Sequence, residues 1–89
     1  MVSKVILLSS VGCTPCLRVK RYLNEFHAKN PQIEVEEIEF SSQVGSKLAV
    51  ENGVLYPPAV FLEGKLIAKG KIDVEKMIAA IQESKTANI

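Results

Sequence analysis

Hydrophobic spacing along the chain changes period several times, and each change marks an element. Val5, Ile6, Leu7 and Leu8 are contiguous and partly β-branched, which predicts a strand over Val2–Ser9, covered on both faces as in a parallel sheet. Ser10, Val11 and Gly12 then form a loop. From Thr14 to about Ala28 the period becomes helical, with Cys16, Val19, Leu23 and Phe26 as the buried stripe and Leu17 and Tyr22 flanking it. Pro15 falls in the first turn, where its missing amide costs nothing, and Asn30-Pro31 stops the helix. Ile33–Phe40 reads as a second strand whose alternation slips between Glu36 and Glu37, through either a bulge or an edge strand with one wet face. Ser41 or Ser42 caps a second helix that carries Val44, Leu48 and Ala49 and ends at Asn52-Gly53. Ala59–Leu62 and Lys65–Ala68 are two short strands around a tight Glu63-Gly64 hairpin.

Gly70 breaks that pattern, and Asp73 caps a last helix, with Ile72 and Met77 stapled across its start. Val74, Met77, Ile78 and Ile81 form its stripe, and Thr86–Ile89 are expected to fray. The order is βαβαββα. It predicts an α/β fold, a four-stranded mixed sheet with helices on both faces. No repeat, linker or low-complexity segment interrupts it, so residues 1–89 are expected to form one domain.

Composition narrows the function classes. The chain is 47% apolar and 24% charged, an ordinary globular balance. Eleven basic against ten acidic residues leave a net charge of +1, no footprint for a nucleic acid. Apolar runs stay far below the ~20 residues that span a bilayer, and the N-terminus lacks the pattern of a signal peptide. The expectation is a monomeric cytoplasmic protein, in reducing conditions, with neither membrane nor nucleic acid as partner.

Cys13 and Cys16 are the only cysteines, in the order Cys-Thr-Pro-Cys, a spacing that about 2% of random placements would give. A disulfide closing so short a loop removes little entropy from the unfolded chain, so stapling does not explain the pair. Redox chemistry and metal binding remain. Cys13 falls where the first strand meets the N-terminus of the first helix, whose partial positive charge and free amides favour a thiolate. Its pKa is expected to drop from about 8.5 into the range ~3.5–7.5. Cys16 lies one turn deeper and stays a thiol. Cys13 therefore attacks and Cys16 resolves the mixed disulfide.

Tyr56-Pro57-Pro58 opens the third strand with prolines that cannot donate to a ladder, either as a simple loop boundary or with a cis bond before one of them. A strand–Cys-x-x-Cys–helix opening, this proline, a hairpin, a glycine and a terminal helix together resemble the thioredoxin superfamily over nearly the whole chain. The small size is similar to its glutaredoxin-like branch. The resemblance implies a thiol–disulfide oxidoreductase with catalytic Cys13 and Cys16 and no cofactor. It implies a cis Pro57-Pro58 bond, with Pro58 against the dithiol. Thr14, Pro15, Tyr56, Pro57 and Pro58 are then the substrate-binding residues. A disulfide-containing protein is the substrate, and a dithiol reductase or thiol pool recycles the pair.

Several positions depart from that pattern. Leu7 stands where thioredoxins bury an acid, and Ser10 where glutaredoxins carry a lysine. Gly70-Lys71 and Ile72-Asp73 replace the paired glycines and aspartates of a glutathione site. Glutathione is accordingly expected to be a poor substrate partner. Two other function classes stay open: a metal or iron–sulfur module using the same cysteines across a dimer, and a thioredoxin-like interaction domain with an idle dithiol. Arg18, Lys20 and Arg21 read as a solvated face that can also aid a partner, and His27 as a surface residue. Tyr56 reads as a packing residue when taken alone, and Glu34, Glu36, Glu37 and Glu39 as edge protection.

Overall fold

The computed structural model describes residues 3–87. Its elements are β1 (Ser3–Ser9), α1 (Thr14–Lys29), β2 (Ile33–Glu39), α2 (Gln43–Glu51), β3 (Ala59–Leu62), β4 (Lys65–Lys69) and α3 (Val74–Ala87). The four strands form one mixed sheet in the order β2-β1-β3-β4. β1 runs parallel to β2 and antiparallel to β3, and β3 runs antiparallel to β4. This is the expected βαβαββα arrangement. Val2 lies outside the described residues, as do positions 88 and 89 of the expected frayed tail. Within the described residues α3 extends through Ala87.

Two apolar layers explain why β1 and β3 read as uninterrupted hydrophobic runs. On one face Val5, Leu7, Val60 and Leu62 pack with Val19, Leu23 and Phe26 of α1 and Val74, Met77 and Ile81 of α3. On the other, Leu8, Ala59 and Phe61 meet Ala49 of α2 and Val54. Successive side chains of a strand point to opposite faces. A central strand between two helical layers must therefore be apolar at every position. All four residues of β3 are buried.

The irregularity at Glu36-Glu37 is not a bulge. The β1–β2 register runs unbroken from Ser3↔Ile33 to Ser9↔Glu39, and β2 is an edge strand with a wet face. The register shift instead lies between β3 and β4, at Val60/Phe61. The hairpin turns through Glu63 and Gly64, both at positive φ (51° and 81°), the geometry that suits the right-handed twist of paired strands. Asp73 caps α3 as expected, its Oδ1 accepting from the Glu75 and Lys76 amides at 3.1 and 3.2 Å.

α2 turns a narrow face of small residues to the sheet. Val44 faces solvent, and the buried residues are Gly45 and Ala49. Ser42 is the cap, accepting from the Gly45 amide at 3.0 Å. Gly45 then lies so close to the end of β2 that a Cβ there would fall 2.1 Å from the Glu39 carbonyl oxygen. The helix presents its smallest residue to the strand because only hydrogen fits.

Candidate active site

The dithiol stands where β1 hands over to α1. Gly12 takes φ +81°, a left-handed conformation that a side chain at this position would strain. The Cys13 amide then donates to the Ser10 carbonyl at 3.2 Å and closes the turn. Cys13 is the N-cap of α1, with extended backbone angles, and its Sγ accepts from the Cys16 amide at 3.2 Å. A sulfur thus fills the place usually taken by a serine or aspartate oxygen. Pro15 in the first turn supplies a preset φ and lacks the amide that would otherwise be unpaired.

Cys13 and Cys16 are joined by a disulfide, with their Cα atoms 5.2 Å apart. Cys13 is half-buried and Cys16 is 2% exposed. Only one sulfur is open to attack an outside disulfide. The first turn of α1 holds no acidic side chain that would oppose a charge on it.

Two carboxylates of β2, Glu39 and Glu37, bond to the segment that leads from β1 toward Cys13. Glu39 accepts from the Val11 amide at 3.2 Å with one oxygen and from the Ser41 amide and hydroxyl at 2.6 and 2.9 Å with the other. Ser41 above all, with lesser help from Val11 and Ser10, holds the Glu39 carboxyl below its ordinary range. Glu37 accepts from the buried Ser9 hydroxyl at 2.6 Å and pairs with Lys20 of α1 at 2.9 Å. These carboxylates do more than protect an edge: one ties down the loop before Cys13, and the other joins β1, β2 and α1. The parallel register that puts Ser9 beside Glu39 was the only signal, and it does not exist before the strands pair. His27 also gains a role, with Nδ1 donating to the Ile33 carbonyl at the entry to β2.

The Ser9 hydroxyl, then Lys20, pulls the Glu37 carboxyl below its ordinary range. A group depressed in the folded state adds stability that is full above its unfolded pKa of about 4.3 and lost as pH falls through the folded value. Glu37→Gln is therefore expected to flatten the loss of stability between pH 5 and pH 3, by under ~1 kcal/mol because the pair is solvent-screened. Urea unfolding at several pH values measures it, and an unchanged acid limb would defeat the assignment.

Tyr56, Pro57 and Pro58 arrive from the other side. Pairing of Leu8 with Ala59 sets Pro58 at the end of the sheet from which the Cys13 loop leaves. The Pro57-Pro58 bond is cis, as expected. Pro58 is fully buried, its carbonyl accepting from the Gly70 amide at 2.9 Å, while Tyr56 is exposed and its ring lies against Gly70. Thr14 and Pro15 are exposed beside Cys13. Four large apolar side chains are left in solvent around this end: Val11, Leu17, Leu55 and Tyr56.

Among the described residues, no three or more His, Cys, Asp or Glu side chains gather as a metal site. No helix among them is long and apolar enough to cross a membrane.

No family model matches the chain. A curated relative does: glutaredoxin-C4, chloroplastic, of Oryza sativa subsp. japonica is 37% identical over 65 residues, covering 73% of this chain and 49% of that protein. The chain thus spans about half the length of that relative. Among solved structures, oxidized mitochondrial thioredoxin 3 of Saccharomyces cerevisiae superposes with a TM-score of 0.70, at 21% identity, over 91% of this chain and 77% of that one. Thioredoxin f2 of Chlamydomonas reinhardtii gives 0.72 at 16% identity, over 93% and 79%. The structures are similar to this chain in fold, and the relative is similar to it in sequence. With a disulfide pair at the strand-to-helix turn and a cis-proline opening the third strand, the chain belongs to the thioredoxin superfamily, among its glutaredoxin/thioredoxin-like members.

Proposed function

We propose that this protein is a thiol–disulfide oxidoreductase that reduces or exchanges protein disulfides with Cys13 and Cys16. The observation that carries this reading is the asymmetry of the pair: a partly exposed N-cap cysteine whose sulfur is bonded to a backbone amide, beside a buried one. In the reduced state the same amide and the helix N-terminus favour the Cys13 thiolate. That thiolate attacks one sulfur of a substrate disulfide, forming a mixed disulfide and expelling the other substrate sulfur as a thiolate. Cys16 then gives up its proton and attacks Cys13 Sγ. The second substrate thiolate leaves, and the Cys13–Cys16 bond closes. Two electrons pass to the substrate, and a dithiol reductase or thiol pool returns them.

Thr14 and Pro15 form the near side of the substrate surface in this reading, and Tyr56 and Pro57 the far side, backed by the buried Pro58. The amide-free Pro57 leaves its carbonyl to face an extended substrate chain. The exposed side chains of Val11, Leu17 and Leu55 suit a protein surface better than a small polar thiol. Ser10, Lys71 and Ile72 lack the groups that hold glutathione in glutaredoxins, so turnover of glutathione mixed disulfides should trail that of protein disulfides. A reducing compartment such as the cytoplasm fits the need for continual re-reduction.

Iodoacetamide labelling of the reduced protein across pH tests the roles. Cys13 is expected to react well below pH 8 while Cys16 stays slow. Equal labelling of both cysteines, titrating near 8.5, would overturn the assignment.

A further inference from the structure

Charge is unevenly spread over this nearly neutral chain. On the β2 edge, Lys4 and Lys20 pair with Glu36 and Glu37 at 2.7 and 2.9 Å. At the dithiol end, the segment before Pro57 and the turn after β4 enclose a pocket of about 260 Å³, lined by Val54, Leu55, Tyr56, Gly70 and two lysines, Lys69 and Lys71. No carboxylate lines it. Among the described residues neither lysine makes an ion pair, and Lys69 reaches only the Gly53 carbonyl at 3.4 Å. The nearest acid along the chain, Asp73, is engaged in capping α3. Arg18, across an adjoining groove that Asp73 and Glu75 also line, is outside any ion pair among the described residues.

We infer that this pocket takes the carboxylate of an aspartate or glutamate close to the disulfide cysteine of a protein substrate. The inference rests on the oxidoreductase reading and names its substrate class. Two like charges on the walls of one pocket repel, and an anion between them removes that repulsion while gaining two charge-assisted hydrogen bonds. Tyr56 and Leu55 give the stem of the acidic side chain an apolar wall. Gly70 joins the pocket to the site, since its amide holds the Pro58 carbonyl. An extended chain passing Pro57 toward Cys13 therefore lays a flanking residue against the lysines.

Three synthetic disulfide peptides, alike except for Glu, Gln or Lys two residues from the cysteine, test this through kcat/KM. The wild type should prefer Glu over Gln by roughly three- to tenfold and disfavour Lys, with the preference shrinking in high salt. In the double variant Lys69→Gln/Lys71→Gln the Glu-to-Gln ratio should fall to near one. Comparing a ratio within each enzyme removes any general loss of activity. A ratio that survives in the double variant, or one near unity in the wild type, overturns the pocket. So does a double variant that loses rate only on a glutathione mixed disulfide, since the carboxylate held there is then glutathione's. Should the wild type reduce none of the peptides, the oxidoreductase reading itself falls, a result distinct from reduction without charge preference.

Discussion

Gly45→Ala is expected to destabilise the protein by roughly 3 kcal/mol, although alanine is the better helix former by about 1 kcal/mol. The added methyl has nowhere to go. Its carbon would stand 2.1 Å from the Glu39 carbonyl oxygen and 3.0 Å from the Phe40 carbonyl oxygen, and both are backbone atoms at the end of β2. A flexible side chain could turn aside, whereas these atoms are held by strand pairing and by the Phe40 amide donating to the Ser9 carbonyl at 2.6 Å. Relief requires α2 to lift from the sheet, opening the layer of Leu8, Ala49 and Phe61. At ~4–8 °C per kcal/mol for a domain this size, thermal unfolding should begin some ~12–24 °C earlier. The effect should also reach the dithiol, because moving Glu39 loosens its hold on the Val11 amide. Circular dichroism melting measures the first and the alkylation rate of Cys13 the second. A melting temperature within a few degrees of wild type would show that α2 does not pack this closely.

The second large effect separates the two cysteines. Cys13→Ser should lower disulfide reduction by at least ~10³-fold, because a serine oxygen cannot form the mixed disulfide on which the electron transfer depends. Cys16→Ser should lose multiple turnover to a similar degree but keep the first half-reaction. With the resolving sulfur gone, the mixed disulfide has no internal thiol to release it, and a substrate protein stays covalently attached through Cys13. The different burial of the two sulfurs is the reason. Mass spectrometry of the protein after incubation with an oxidised protein substrate distinguishes them: an adduct with Cys16→Ser and none with Cys13→Ser. The role assignment is falsified if the adduct forms on Cys16 in the Cys13→Ser variant at a comparable rate.

Local pattern was enough for the parts of this protein whose determinants lie close together in the chain. The contiguous run Val5–Leu8 already shows a strand covered on both faces, and the period of Cys16, Val19, Leu23 and Phe26 already shows which face of α1 is buried. Cys13 at the head of that helix, and the proline pair before β3, are likewise visible as spacings, and with them the thiol chemistry. Contacts between residues far apart in sequence were not visible. Glu37 and Glu39 read as the polar face of an edge strand, yet the parallel register sets them beside Ser9 and Val11, 28 residues away in each case, where they brace the dithiol loop. Val44, Leu48 and Ala49 mark α2 in the sequence without fixing which of its faces is buried. The close approach of α2 to Glu39 turned the helix so that Gly45 and Ala49 face inward. Period depends only on neighbours a turn away, so the sequence by itself determined the elements, their buried stripes and the place of the cysteine pair at the head of α1. Register, helix rotation and the partners of the carboxylates depend on backbone atoms that meet only after the chain has folded, and the tertiary structure alone decided them.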